Sequence, residues 1–162
     1  MTAARIEYLA DHPDAAPVLA GWFAREWGRG SPRSAELYAA QLSAYAHRDR
    51  LPICLVGLLD TEPVATASLK LREIEYSETA DYWIGWVCVR EDMRGRGFGR
   101  ALVEAAEAEA ATRSLSPLYL HTPSKEAFYL RLGWRTLGTT TADGGPSTVM
   151  VKEVGGRVPG AM

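Results

Sequence analysis

The sequence has little that would suit a membrane, an exported protein or a disulfide framework. No apolar run in its 162 residues approaches the roughly 18 residues that a helix needs to cross a bilayer. Only two cysteines are present, Cys54 and Cys88, and each lies inside an apolar run, which favours reduced core thiols over a bridge. The first residues lack the basic and apolar pattern of a signal peptide, so we expect a cytoplasmic protein.

An excess of charge of one sign is also missing. The chain has 18 lysines and arginines against 20 acidic residues, which gives a formal net charge of −2. We therefore expect neither nucleic acid nor an anionic membrane as a partner, although a local basic cluster could still bind a small anion. The three histidines lack the spacing of metal ligands, so no metal site is predicted.

The composition that remains is that of an ordinary globular domain. Hydrophobic residues make up 47% and charged residues 23% of the chain, which excludes intrinsic disorder and a coiled coil. At about 100 to 200 residues per domain, we expect one domain over 1–154. The Gly- and Pro-rich tail over 155–162 is expected to be flexible. A monomer and a homodimer both stay open.

Apolar periodicity predicts an α/β fold. Helices are predicted at 14–27, 34–47, 99–113 and 125–132. Strands are predicted near 5–9 and at 53–59, 64–71, 82–89, 118–122, 134–141 and 148–152, with a turn over 143–146 between the last two. Because hairpins at both ends flank a βαβ crossover, we expect one mixed, mostly antiparallel sheet with flanking helices.

The segment with the clearest chemical character follows the predicted strand 82–89. It leads directly into the Ala-rich helix and reads Arg94-Gly95-Arg96-Gly97-Phe98-Gly99-Arg100. Glycines let a ligand approach the backbone closely, the free amides of a helix's first turn carry the positive end of the helix dipole, and arginines add charge. The segment is therefore suited to an anion, above all a pyrophosphate.

Two common phosphate-binding motifs do not fit this segment. A P-loop needs a lysine after its glycines, and none follows here. The dinucleotide fingerprint needs a glycine at its sixth position, but counting from Gly95 that position is Arg100. The next strand also ends in His121 and Thr122, without an acidic residue for a ribose. A nucleotide-binding Rossmann protein is therefore disfavoured.

What does fit is Arg94-x-x-Gly97-x-Gly99 after Val87-x-Val89, which resembles the acetyl-CoA signature of the Gcn5-related N-acetyltransferase (GNAT) family. A second segment is similar to that family's helix-and-turn motif: Ala127-Phe128-Tyr129-Leu130-Arg131-Leu132-Gly133-Trp134. The two segments occur in the family's order. The resemblance implies a GNAT-like fold and an enzyme that moves an acetyl group from acetyl-CoA to a primary amine of a small molecule or peptide, by direct attack in a ternary complex.

The resemblance also implies roles for individual residues. The main chain over Val87, Cys88 and Val89 would bind the pantetheine arm, and an amide nearby would polarise the acetyl carbonyl. Tyr129 would protonate the departing CoA thiolate, and Lys125 is a further candidate for contact with CoA. The CoA pyrophosphate would be held by the amides of Arg94, Gly95, Arg96, Gly97, Phe98, Gly99 and Arg100.

Simpler interpretations stand beside these roles. The glycines could form only a flexible turn before a helix. Tyr129 could be only a core aromatic, since Phe128 and Leu132 share its helix. Lys125 could be only a solvated surface residue.

The general base is the least defined part of the predicted site. The strand before the glycine-rich segment reads Tyr82-Trp83-Ile84-Gly85-Trp86, without the carboxylate that some relatives carry there. The candidates for a base, acting directly or through water, are His121, Glu73, Glu75, Glu78 and Asp81. For most of these acids a solvated position is the simpler expectation. The missing carboxylate leaves a second function open, a non-catalytic acyl-CoA-binding sensor or regulatory module.

Overall fold

Seven strands, four α-helices and two short 3₁₀ helices, Leu9–Asp11 and Glu91–Met93, make up the regular structure of the described residues. A computed structural model of the chain describes residues 3–28 and 32–155. The strands are β1 (Arg5–Tyr8), β2 (Ile53–Leu59), β3 (Glu62–Leu71), β4 (Tyr82–Val89), β5 (Leu118–Thr122), β6 (Arg135–Ala142) and β7 (Gly145–Lys152). The helices are α1 (Ala15–Trp27), α2 (Pro32–Ser43), α3 (Phe98–Thr112) and α4 (Glu126–Arg131). The predicted flexible tail lies, apart from Gly155, outside the described residues.

The strands form one mixed sheet in the order β1-β2-β3-β4-β5-β7-β6. The pairs β1–β2, β2–β3, β5–β7 and β6–β7 are antiparallel, whereas β4 and β5 are parallel and are connected through α3. The predicted fold class is therefore confirmed, including the central βαβ crossover. Across the described residues, no helix combines the length and the apolar character that crossing a membrane would need.

The second helix ends earlier than the sequence predicts. Periodicity extended it to residue 47, but α2 ends at Ser43. Tyr45 instead turns back, with its amide bonded to the carbonyl of Leu42 (2.9 Å) and its own carbonyl accepting from the amide of Cys54 (3.2 Å). The Tyr45 ring is buried all the same, so its apolar spacing reflects burial and not helical geometry.

Contacts within the chain define two compact units. Among the described residues, the first unit comprises the chain up to Leu69 together with Trp86–Ala106, and the second comprises Lys70–Gly85 and the chain from Glu107 onward. Strand β4 thus passes from the second unit to the first between Gly85 and Trp86, and α3 passes from the first to the second after Ala106.

The first unit has a core in which α1 and α2 pack with β2 and β4. Its fully buried residues include Leu19, Phe23, Leu42 and Val56. Full burial of an apolar side chain of this kind is worth about 1.5 to 3 kcal/mol, so the apolar faces of the two helices account for their attachment. Trp86 packs against this core.

The second unit has its own smaller core around β4, β5 and β7. Trp83 is fully buried there with Ala80 and Val149, and its indole nitrogen donates to the carbonyl of Ala80 at 2.7 Å. Strand β4 pairs in parallel with β5 through Tyr82↔Leu118 and Trp83↔Tyr119.

Candidate functional site

The connection between β4 and α3, in the first unit, has backbone geometry that only glycine adopts easily. Gly95 and Gly97 have φ angles of +77° and +88°, in the left-handed region. A Cβ atom built on either residue would have no heavy atom within 4 Å. The glycines are therefore required by the backbone conformation, and the face of the loop that they form is open.

The loop ends where the free amides of a helix begin. The first helical hydrogen bond runs from the amide of Ala101 to the carbonyl of Gly97 at 3.1 Å. The amides of Phe98, Gly99 and Arg100 therefore lie in the first turn, where no intrahelical acceptor exists. Because the Phe98 side chain is buried, its main chain alone is available to a ligand.

Two of the three arginines in this segment are already engaged by carboxylates. Arg94 forms an ion pair with Glu26, which raises the pKa of its guanidinium, and it donates to the carbonyl of Val89 at 3.1 Å. Arg100 pairs with Glu104 one turn along α3 at 3.3 Å. The arginines thus add less positive charge than their number suggests, and the backbone amides become the main groups for an anion.

The end of β4 before this loop is distorted. Trp86 has a φ angle of +50°, which is rare for a bulky residue and usually marks a bulge or a functional constraint. Its ring packs on Phe23 and Tyr45, at centroid distances of 5.0 and 4.6 Å. This aromatic packing holds the unusual backbone in place directly before Val87.

The Cys88 thiol is turned into the core of the first unit. Burial is the main cause that raises its pKa to about 11, and the negative charge of Glu26 adds to the effect. Cys54 is likewise a free buried thiol, with its pKa raised to about 12 by burial. Neither sulfur is disposed to act as a nucleophile at neutral pH.

Tyr129 lies on α4 in the second unit and is almost completely buried. Its ring meets Phe128 and Trp134 edge to face, at 5.0 and 6.1 Å between centroids. In the described part of the chain its hydroxyl has no hydrogen-bond partner, and burial alone raises its pKa. The phenol therefore stays protonated and its proton is not committed to another protein group.

The helix that carries Tyr129 is fixed at both ends. Just before its start, the Thr122 hydroxyl accepts from the amide of Lys125 at 2.9 Å, which fixes the residue that precedes the helix. At its end, Gly133 has a φ angle of +93° and the amide of Trp134 donates to the carbonyl of Tyr129 at 3.1 Å. This agrees with the helix and turn that the motif predicted.

A polar cluster that the sequence did not reveal supports the same turn. Glu107 accepts from the indole nitrogen of Trp134 at 3.0 Å and from the Lys152 ammonium at 2.8 Å. Lys152 also donates to the carbonyl of Leu132 at 2.7 Å. These groups come from α3, β7 and the turn after α4, so only the tertiary structure could bring them together.

The other predicted polar residues of the second unit lie in different surroundings. His121 shares a hydrogen bond between its Nδ1 and the Ser147 hydroxyl at 2.9 Å. Asp81 pairs with Arg72 at 2.8 Å. Exposed positions are taken by Lys125, Glu75 and Glu78. Residues 3–28 and 32–155 contain no group of three or more side chains that could hold a metal ion.

Glu73 is the acid with an unexpected position. It follows β3, and a Cβ atom built on Gly85 of β4 would lie 2.7 Å from its Oε2 atom. Lys70 pairs with the same carboxylate at 3.3 Å, and only 21% of the Glu73 side chain is exposed. The signal for this contact is the glycine itself, which is out of place in a strand of bulky residues.

Comparison with known proteins connects the chain with acetyltransferases. A family profile with the description "Acetyltransferase (GNAT) family" matches residues 16–134. The Mus musculus protein N-alpha-acetyltransferase 80 is 31% identical over 114 residues, which are 68% of this chain and 34% of that protein. The chain thus spans about a third of the length of this relative.

Solved structures share the fold over nearly the whole chain. An aminoglycoside 6′-N-acetyltransferase complexed with coenzyme A is 18% identical, with a TM-score of 0.74 and coverage of 95% of this chain and 99% of that one. A Corynebacterium glutamicum structure described as histone acetyltransferase HPA2 and related acetyltransferase is 23% identical, with a TM-score of 0.74 and coverage of 94% and 97%. Their names refer to different acceptors, so the likeness concerns the fold.

Proposed function

Because the chain belongs to the acetyltransferase (GNAT) family, whose profile matches residues 16–134, we propose that it transfers the acetyl group of acetyl-CoA to a primary amine of a small molecule or peptide. The observation that carries this proposal is the loop before α3. It combines two glycines with positive φ and the free amides of the helix's first turn. Such amides are suited to the pyrophosphate of CoA.

In this proposal the CoA molecule is held mainly by the backbone. The amides of Gly97, Phe98, Gly99 and Arg100 bind the pyrophosphate, and Arg96 adds an exposed positive charge. The main chain of β4 at 87–89 binds the amides of the pantetheine arm. The distortion at Trp86 supports this, because it interrupts the regular strand where the thioester would lie.

The chemistry is direct transfer without an acyl-enzyme. The neutral amine forms a bond to the carbonyl carbon, the charge that develops on the oxygen is stabilised by a main-chain amide, and the C–S bond then breaks. The amine proton passes to a base, and the departing thiolate receives a proton from Tyr129. The Tyr129 hydroxyl supports this role because no group among the described residues holds its proton, and the two buried thiols argue against covalent catalysis.

A panel of amines tests this function. Thiol release from acetyl-CoA is followed with N-terminal peptides, aminoglycosides, polyamines and amino acids, and CoA binding is measured by calorimetry. We expect turnover with at least one class and sequential kinetics in which both substrates bind before product leaves. Ping-pong kinetics would contradict direct transfer.

A second candidate is a non-catalytic acyl-CoA-binding module. The observation in its favour is that β4 contains no acidic residue, and carries glycine at position 85, so the strand itself has no carboxylate that could serve as a base. Tight CoA binding without thiol release for any amine in the panel would favour this module over the enzyme.

A further inference from the structure

The contact between Glu73 and Gly85 places a carboxylate on the backbone of β4 without using a side chain of that strand. A Cβ atom on Gly85 would lie 2.7 Å from Glu73 Oε2, closer than Cβ atoms come in proteins, and 3.3 Å from its Cδ atom, so Glu73 would have to move. The carboxylate therefore occupies the space that a residue at position 85 would fill. Lys70, at 3.3 Å, is the cation that holds it there.

The proposed reaction needs a base at this strand. A lysine-type amine has a pKa of about 10.4 and an N-terminal amine one of about 8, so both are mostly protonated at neutral pH and cannot attack a thioester until they lose a proton. Gly85 directly precedes Trp86 and Val87, along which the pantetheine arm is proposed to run. Because Gly85 adjoins these residues in the strand, a base packed on Gly85 lies next to the segment that is proposed to hold the arm.

The other acids near the start of β4 are less suitable. The Asp81 carboxylate pairs with Arg72 at 2.8 Å and is 43% exposed, twice as much as that of Glu73. Glu75 and Glu78 are exposed on the segment between β3 and β4. Among these acids, Glu73 is the one packed against β4. It lies against Gly85, and any larger residue at position 85 would exclude this contact.

We propose that Glu73 takes the proton from the acceptor amine. The segment after β3 then supplies the base that β4 lacks, through the contact between Glu73 and Gly85. This inference rests on the proposed acetyltransferase function. Glu73 takes the first N–H proton from the ammonium and passes it to water, and the nitrogen lone pair then forms the new C–N bond. As the C–S bond breaks and Tyr129 protonates the thiolate, the second N–H proton leaves by the same carboxylate, and Tyr129 regains its proton from water.

The first test replaces Glu73 by its neutral isostere. Glu73→Gln should lower kcat/KM at neutral pH by about 10² or more, as for the loss of a general base. The remaining activity should rise with pH up to the pKa of the amine itself, whereas CoA affinity and the melting temperature should stay near those of the wild type. Glu62→Gln, at an exposed acid of β3 that has no proposed role in the site, is the control and should leave the rate unchanged.

The second test moves the carboxylate. Gly85→Ala should lower kcat because its Cβ atom displaces the carboxylate, while the fold survives because the clash is with the end of a flexible side chain. In the double variant Glu73→Ala/Gly85→Glu, a carboxylate returns to the same space from β4 itself. Its rate should exceed that of Glu73→Ala by about tenfold or more.

The outcomes separate this inference from the proposed function. If the wild type acetylates an amine and Glu73→Gln keeps its rate and pH profile, Glu73 is not the base and the acetyltransferase function stands. If Glu73→Gln instead loses stability and CoA affinity together with rate, or the relocated carboxylate restores nothing, its role is structural and the inference is wrong. If the wild type acetylates no amine in the panel, the function itself is wrong and this inference falls with it.

Discussion

At the scale of single residues, burial determines which reactive side chains can take part in chemistry. Burial raises the pKa values of Cys54 and Cys88 to about 12 and about 11, which keeps both thiols protonated near neutral pH. It acts in the same direction on Tyr129, but a protonated phenol is the form that can donate. The same physical effect thus removes two nucleophiles, whereas the phenol keeps its proton and becomes a weaker acid.

The first prediction concerns Cys88. Cys88→Ala should keep most of the turnover, because only the main chain of this residue is proposed to meet CoA. In the folded wild type, reaction with a thiol reagent should be slow at pH 8 and should quicken as the pH rises toward about 11, since only the thiolate reacts. Detection of a stable acetyl group on Cys88 by mass spectrometry would contradict this.

The second prediction concerns the Tyr129 hydroxyl. Tyr129→Phe should lower kcat by about 10², the low end of general-acid effects, because a thiolate is already a fair leaving group. The melting temperature should not fall, since the lost hydroxyl has no hydrogen-bond partner among the described residues and the ring keeps its contacts with Phe128 and Trp134. Phe128→Leu is the control for packing on the same helix. An unchanged kcat in Tyr129→Phe would identify Tyr129 as a core aromatic only.

At the scale of elements, local patterns predicted the βαβ crossover but not every boundary. The last hairpin shows why. The sequence placed its turn over residues 143–146, but β7 already begins at Gly145, and the turn is the pair Asp143-Gly144 with φ angles of +55° and +82°. Positive φ at both central residues is typical of a type I′ turn, for which Asp-Gly is a strong signal. The early end of α2 could not be predicted in this way, because it depends on a tertiary hydrogen bond in which the Tyr45 carbonyl accepts from the amide of Cys54 in β2.

The third prediction uses two glycines that share a backbone conformation. Gly97 and Gly144 have φ angles of +88° and +82°, and a Cβ atom on either would meet nothing within 4 Å. Alanine in the left-handed region costs about 1 to 2 kcal/mol, so both Gly97→Ala and Gly144→Ala should lower the free energy of unfolding by similar amounts. Only Gly97→Ala should weaken CoA binding, because its loop alone is proposed to hold the pyrophosphate.

Calorimetric titration with CoA, together with urea unfolding, checks this pair. Arg96→Ala should weaken CoA binding less than Gly97→Ala does, because it removes an exposed charge that salt screens. Equal CoA affinity in both glycine variants would argue against the loop as the pyrophosphate site.

At the scale of the whole molecule, the sequence predicted the candidate segments of the site but not the contacts that distant side chains make around them. The glycine-rich loop and the Tyr129 helix are contiguous, so their residues could be read from local spacing. Glu73 and Gly85 come from separate elements, as do Glu107 and Lys152. Contacts of this kind depend on strand order and register, which no local pattern contains.

The final prediction measures the coupling between two such residues. Removing one partner of the pair formed by Glu107 and Lys152 leaves a largely buried charge, because their side chains are only 13% and 25% exposed. Glu107→Gln and Lys152→Met should therefore each lower the free energy of unfolding by about 1 to 3 kcal/mol. The double variant should lose less than the sum, with a coupling of about 0.5 to 3 kcal/mol in urea unfolding.

The exposed pair of Arg135 and Glu153, at 3.5 Å, is the control, and its coupling should stay below about 1 kcal/mol. Additive losses for Glu107 and Lys152 would mean that the two residues act independently and that their contact does not stabilise the turn after α4.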